Sequence, residues 1–452
     1  MFSAVLASGP AFAQEGKAAN GAAAPVSKDY KTVKFDASLK KSASEVSRSL
    51  RKGFEAGGQA LFDKVCDNYV LAMWTQPENH HQLAALRGKF RSQLQSCKSS
   101  PATRRQFNGH LLIVLPKMVA ENYHPAVRYN SMMLLGELDE KPAMRVGDTA
   151  MPLPAALPIL LKAASDKNQI DAVKLAALLG VYRHSYKLTD PAARNNVSKA
   201  MSTLATTKST PGTSSGGQSW MRCIAINTLG RLKSAGVAMM LLEIVDDEEN
   251  PFRVRVAAAR AVGKLTYPGA AGLNPDAMVR QLGRLAMSAC EKEIEECKEN
   301  DRTISPRKLK NRLIAARIGL MGSDDLRAET PSGGAMSLIE KSDVKTNADK
   351  VREQIDRWIG LLDDKSLMKK VEPPQDPRAR GMGMGGPGMG GPGMGMGGPG
   401  MGGEMGMGGM GRRPGGRAGA AAVDEEDEMK TISDEIIEQI KADLKSFAVL
   451  VQ

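Results

Sequence analysis

Between Asn250 and Leu265 the chain reads NPFRVRVAAARAVGKL. Val254, Ala257, Ala258, Ala261, Val262 and Leu265 recur at the spacing of one apolar helix face. That face is made of small residues, so it can press closely on a neighbouring helix. Arg253, Arg255, Arg260 and Lys264 fall mostly outside the stripe. Asn250 and Pro251 predict the helix start: Asn suits the cap, and Pro the first turn, where its missing N–H costs nothing. The same pattern returns elsewhere. Val127 stands nine residues before Gly136, Met221 nine before Gly230, and Val254 nine before Gly263. Arg128, Arg222 and Arg255 each follow the first of these positions directly. Looser copies carry Gly180 and Gly319. These glycines are about 33 to 56 residues apart, a period that predicts an all-α solenoid of stacked helix pairs.

The pattern divides the rest of the chain. Gln59 to Trp74 carries a broad apolar face (Leu61, Phe62, Val65, Cys66, Tyr69, Val70, Met73, Trp74) and is broken by Pro77. His81 to Cys97 carries Leu83, Leu86, Phe90, Leu94 and Cys97, and a third helix near Arg105 to Val114 follows. Residues 55–104 lack the repeat pattern and are expected to cap the array, which spans 105–325. Three polar interruptions divide it: Glu140 to Pro158, Thr206 to Gln218 and Tyr267 to Pro275. They are either a binding face or plain surface loops. Terminal helices occupy 326–370. The segment 371–423 is Gly/Met/Pro-rich and of low complexity, a disordered tether without the means to build a core. The acid block Asp424 to Glu428 leads into a C-terminal amphipathic helix, within 424–452, whose stripe is Ile432, Ile436, Ile437, Ile440, Leu444, Phe447 and Val451. Such a stripe must be buried on something. Its polar face is not basic, which disfavours a lipid surface. The expected destination is a protein groove: self-docking, self-association or a partner.

Two stretches resemble HEAT repeats. The better is LLEIVDDEENPFRVRVAAARAVGKL, from Leu241 to Leu265: an apolar helix, an acidic turn, Asn-Pro, Val-Arg, an alanine run and a late Gly. The second is LPKMVAENYHPAVRYNSMMLLGEL, with His124-Pro125 at the turn. The resemblance covers roughly 105–325 and implies an armadillo-like α-solenoid. Its repeat-signature residues are Pro125, Arg128, Gly136, Arg222, Gly230, Pro251, Arg255 and Gly263. Arrays of this kind are mostly binding scaffolds with diverse partners, so the resemblance implies protein partners without naming one.

Composition adjusts this picture only in places. Aromatic residues make up 4%, which disfavours a large sheet. The net charge of +12 would suggest nucleic acid. Part of it is local, crowding Lys28, Lys31, Lys34, Lys40, Lys41, Arg48, Arg51 and Lys52 into a basic segment, 14–54, expected to be disordered; no nucleic-acid partner is expected. Ala4 to Ala7 is a short apolar run, and Ala11-Phe12-Ala13 before Gln14 has the A-x-A form of a signal-peptide cleavage site. Residues 1–13 are therefore read as a signal peptide, and the chain as exported, periplasmic or extracellular. The positively charged n-region is missing, so either the start lies inside a longer signal or the protein is cytoplasmic. No run approaches the ~20 apolar residues of a membrane span.

Chemistry is sparse. The five histidines show no HExxH frame, and no P-loop, GxGxxG or GxSxG occurs. No catalytic residue and no cofactor is expected. The five cysteines form no CxxC. Cys66 and Cys97, on the inner faces of consecutive helices, are the disulfide candidates, despite a mismatch of roughly 9 Å in distance from the turn. Cys290 and Cys297 would stand about 10.5 Å apart on a straight helix, too far to bond. Met382, Met384, Met394, Met396, Met405 and Met407 form M-x-M pairs in the tether, and soft thioethers select Cu(I). The expected function is an exported, non-catalytic protein-interaction scaffold. The alternatives are a metal-handling protein binding Cu(I) through the tether, or an accessory subunit of an envelope enzyme.

Overall fold

A computed structural model describes residues 29–97, 100–145, 147–267, 272–300, 305–363, 368–370, 430–432 and 434–452. The expected signal peptide, the six tether methionines and the acid block lie outside these residues. What is described is built almost wholly of helices.

The basic segment expected to be disordered is ordered from residue 29 onward. Residues 29–36 run extended, pinned by Lys31 N–H to Asn122 O (2.8 Å), Val33 N–H to Thr75 Oγ1 (2.9 Å) and Asp36 N–H to Asn68 O (2.9 Å). Helix α1 (Lys40–Lys52) follows. Its cause is a stripe hidden among the charges: Leu39, Ala43, Val46 and Leu50 recur at helical spacing, with Val46 and Leu50 buried. The lysines and arginines line the opposite, exposed face. Gly53, at φ 110, ends the helix where a side chain would be strained.

Helix α2 (Gly58–Val65) widens into a π-helical segment, Cys66–Leu71, and closes with the turn α3 (Ala72–Trp74). Pro77 stops it. Helix α4 (Leu83–Gln95) turns Phe90 edge-on to Trp74 at 6.4 Å. Helix α1 packs on α2 and α4, α2 on the following helix α5 (Pro101–Ala120), and α4 on α6 (Pro125–Glu137). Helix α1 therefore belongs to the N-terminal helical packing.

The remaining helices form pairs. The first is α5 with α6, followed by α7 (Leu157–Ser165) with α8 (Asp171–His184) and α9 (Pro191–Thr206) with α10 (Ser215–Leu232). Then come α11 (Ala238–Asp246) with α12 (Phe252–Lys264) and α13 (Pro275–Asn300) with α14 (Pro306–Met321). The second helices stack side by side: α6 on α8, α8 on α10, α10 on α12, α12 on α14. Several starts use a polar cap before a first-turn proline. The Ser100, Asp190 and Ser305 side chains accept from Thr103, Ala193 and Lys308 N–H at 3.3, 2.8 and 3.4 Å. Buried apolar side chains run as one continuous core from Val46 to Val451.

The first interruption is not all loop. Within it β1 (Asp139–Lys141) pairs antiparallel with β2 (Met151–Pro152). The Ser/Thr interruption is shorter than expected, because α10 begins at Ser215; Gln218 is buried inside it and its Nε2 donates to Thr207 O at 2.7 Å.

Helix α15 (Ser342–Leu361) packs on α13 and α14, and the C-terminal helix α16 (Asp434–Val451) lies on α13 and α15. Ile436, Ile440, Phe447 and Val451 are buried there, and the Phe447 and Trp358 rings meet at 4.8 Å. Ile432, expected in the helix, belongs to β4 (Lys430–Ile432), which pairs antiparallel with β3 (Met368–Lys370). The two residues flanking the 371–429 stretch are thus brought side by side. Among the described residues, no helix is long and apolar enough to cross a membrane.

Candidate interaction surface and the repeated arginine clasp

The arginine after each repeat's first position does the same work three times. Arg128 Nε–H donates to Val119 O, Arg222 Nε–H to Ala205 O and Arg255 Nε–H to Val245 O, each at 2.8 Å. Each acceptor is the penultimate residue of the first helix of its pair. The last carbonyls of a helix have no partner inside it, so the guanidinium fills a need that every pair has. Its other end reaches onward. Arg128 Nη2 donates to Gln169 Oε1 (2.5 Å) in the next pair's turn, and Arg222 Nη2 to Asn250 Oδ1 (2.7 Å) in the next pair's turn. Arg255 Nη1 reaches Ser288 Oγ on α13 at 3.5 Å. One side chain thus ties its own pair and fastens the following one.

Arg222 and Arg255 are buried. Burial draws both guanidiniums below their ordinary pKa; acids of the Asp246–Glu248 turn oppose this at Arg255, and Asp247 helps oppose it at Arg222. In α8 the equivalent position is Lys174, whose ammonium reaches Lys167 O at 3.4 Å and the Asp171 carboxylate at 4.0 Å, both next to its own helix start. A compact ammonium cannot span the two acceptors that the guanidinium fork spans. Arg222→Met is therefore expected to cost about 3 kcal/mol, because Ala205 O and Asn250 Oδ1 both lose their donor in a buried place. Arg222→Lys is expected to recover less than half of it. Thermal unfolding of the two variants measures both; equal stability of Arg222→Met and the parent would remove the clasp from the energetics.

Of the two expected helix starts, one holds and one differs. His124 does start α6: its Nδ1 accepts from Ala126 N–H at 3.2 Å, with Pro125 first in the helix. Asn250 does not cap α12. Pro251, extended at φ −52 and ψ 136, occupies the cap position. The Asn250 side chain turns inward, accepting from Arg222 and donating to Ile244 O at 3.3 Å. The buried arginine outcompetes the helix N–H groups for that oxygen.

The signature glycines lie where helices of the second layer touch. A Cβ on Gly136 would stand 2.8 Å from Gly180 Cα, and one on Gly230 3.0 Å from Ala261 Cα. A Cβ on Gly263 would overlap the Ile318 carbonyl.

The outer face of the second layer carries the side chains that reach solvent. Trp220, on α10, is 50% exposed, and the Arg253 guanidinium of α12 lies 5.2 Å from its ring centre. Arg231 comes three turns after Trp220 on the same helix face. It sits 3.8 Å from the Tyr182 ring of α8 and 5.7 Å from that of Tyr186, itself 55% exposed. Arg260 and Lys264 continue the face on α12. Aromatic rings under guanidinium groups, partly in water, have the composition of interface hot spots. None of these pairs was visible in the sequence. The available signal was the eleven-residue step from Trp220 to Arg231, which puts both on one face.

The candidate disulfide is not formed: Cys66 and Cys97 are both free and buried. The Cys97 thiol donates to Ser100 O at 3.5 Å, while Cys66 faces His110. Burial pushes the Cys223 thiol up to about 11 and raises Cys290 further. Cys290 and Cys297 share α13, which runs unbroken between them. His184 is buried in α8, and burial pulls its pKa down to about 4. His80 stacks on His124 at 4.1 Å. Compared with family models, with curated proteins and with solved structures, the chain finds no match in any of the three.

Proposed function

We propose that the chain is an exported, non-catalytic protein-interaction scaffold built on HEAT-like repeats, with the outer face of α8, α10 and α12 as its binding surface. The observation that carries this is the arginine clasp. It repeats with the same atom, the same acceptor position and the same 2.8 Å length in three pairs. The repetition supports a HEAT-like solenoid, in which each pair is fastened to the next and a long face is held rigid. Rigidity lowers the entropy that a partner's docking must overcome. The face itself presents Trp220, Tyr186, Arg231 and Arg253, the residue types that dominate measured hot spots. Its cationic character suits an acidic protein partner. The A-x-A pattern at Ala11 to Ala13 supports export.

The test pairs Trp220→Ala with Arg253→Glu. Immobilised parent and double variant are each exposed to the envelope fraction, and proteins retained only by the parent are then titrated purified. The variant is expected to bind such a protein about thirty-fold more weakly, corresponding to about 2 kcal/mol, at unchanged melting temperature. Equal binding by the two would overturn the assignment of the surface.

A further inference from the structure

The π-helical widening after α2 falls at a group of side chains with metal-ligand chemistry. Asp63, Cys66 and Asp67 stand at i, i+3 and i+4, one helix face. His110 of α5 reaches that face. Its Nε2–H donates to Asp67 Oδ1 at 2.8 Å, and its Nδ1 lies 3.3 Å from Asp63 Oδ1. The Cys66 sulfur lies within 4.8 Å of the facing His110 and Asp67 atoms. Cys66 is 1% exposed and free. Phe62 lies edge-on to the imidazole at 6.1 Å and closes the apolar side.

We propose that Cys66, Asp67 and His110 form a binding site for a divalent transition-metal ion of the Zn2+ class, with Asp63 as the group that orients the imidazole. The donor set is one sulfur, one nitrogen and one oxygen, which suits a borderline ion and neither Ca2+ nor Mg2+. Tetrahedral bonds of about 2.0–2.3 Å place ligand atoms about 3.3–3.8 Å apart. The His110–Asp67 pair, at 2.8 Å, is tighter than this, and the sulfur lies within 4.8 Å of both. Binding therefore replaces the shared proton by the ion and opens the pair by about half an ångström. Asp63 against Nδ1 is the carboxylate–histidine arrangement that fixes the tautomer and leaves Nε2 for a metal. Asp67 and Asp63 are 41% and 35% exposed at their side chains, so an ion reaches the site from solvent. Water completes the fourth position. π-Helical turns are found disproportionately at functional sites, and this one begins at the ligand cysteine. The competing arrangement is a plain ion pair, in which an imidazolium clamped by Asp63 and Asp67 staples α5 to α2. In agreement with either, Asp67 raises the His110 pKa despite its partial burial.

Cobalt separates the two. The reduced full-length chain is titrated with Co2+ and followed by absorbance. One equivalent is expected to give a thiolate-to-cobalt charge-transfer band and tetrahedral visible bands, both erased by Zn2+. Cys66→Ser is expected to lose the charge-transfer band, and His110→Gln all tight binding. Asp63→Asn, at a partly exposed position that leaves the fold intact, is expected to weaken binding about ten- to hundred-fold. Absence of the band from the parent overturns the site, as does its persistence in Cys66→Ser. Undiminished affinity in Asp63→Asn overturns the orienting role.

Discussion

Gly263→Leu is expected to unfold the stack around α12 and α14, and Gly263→Ala alone to cost about 4 kcal/mol or more, with a fall in melting temperature on the order of 10 °C. Overpacked cores usually relax by side-chain movement, which limits the cost to about 1–3 kcal/mol. That route is closed here. A Cβ on Gly263 would lie 2.6 Å from the Ile318 carbonyl carbon and closer still to its oxygen. Only separation of the two helices removes the overlap, and that opens the contact between α12 and α14 along its length. Gly109→Ala is the control, and its sign is opposite. Gly109 also sits inside a helix, α5, but is exposed with nothing within 4 Å of an added Cβ. Alanine there is expected to stabilise by about 0.8–1 kcal/mol, its ordinary helix advantage over glycine. Calorimetry on the two single variants reads both signs. Tolerance of Gly263→Ala would mean that α12 and α14 do not approach as closely as described.

The contrast shows what the sequence could reveal. Gly263, Gly230 and Gly136 were legible because they recur in phase with Arg255, Arg222 and Arg128, and one physical demand repeated along a chain leaves a periodic trace. The demand on Asn250 was not legible. Asn before Pro is an ordinary helix start, and only the position of Arg222, a whole pair earlier, reveals that its oxygen is already taken. Helix α1 was missed for a different reason. Its stripe of Leu39, Ala43, Val46 and Leu50 has helical spacing, but eight basic residues crowding the stretch suggested a solvated tail; the lysines merely occupy the face that water covers. The metal-type cluster lies beyond local reading altogether. Asp63, Cys66 and Asp67 mark one helix face, yet nothing local says that His110, 43 residues from Asp67, completes it. The aromatic and arginine pairs on the outer face are likewise products of stacking, since Trp220 and Arg253 belong to successive pairs.

Removing residues 434–452 is expected to uncover an apolar groove on α13 and α15 while leaving the earlier pairs folded. Ile436, Ile440, Phe447 and Val451 are all buried in the intact chain. Each such side chain contributes about 1.5–3 kcal/mol on burial, an upper range that the entropy of ordering the helix reduces. The floor of the groove is shaped for α16. Gly283 leaves room for Val451, whose Cγ1 would clash with a Cβ there, and Trp358 meets Phe447 edge-on. Polar contacts fix the register. Arg284 Nη1 donates to Val451 O at 3.3 Å and Asn347 Nδ2 to Leu450 O at 3.4 Å, filling two of the carbonyls that a helix end leaves open. Asp443 accepts from Gln354 Nε2 at 3.0 Å and lies 3.5 Å from Arg357 Nε. Phe447→Ala is expected to cost about 3–5 kcal/mol in the intact chain if helix and groove stay together, because the ring leaves a cavity against Trp358. In the truncated chain the groove is expected to bind an apolar fluorescent dye, and a peptide of residues 430–452 to displace it. The same peptide with Phe447→Ala should displace it poorly. A truncated chain that binds no dye, melts like the parent and ignores the peptide would show that α16 contributes nothing to the fold, and its stripe would then need another protein to cover it.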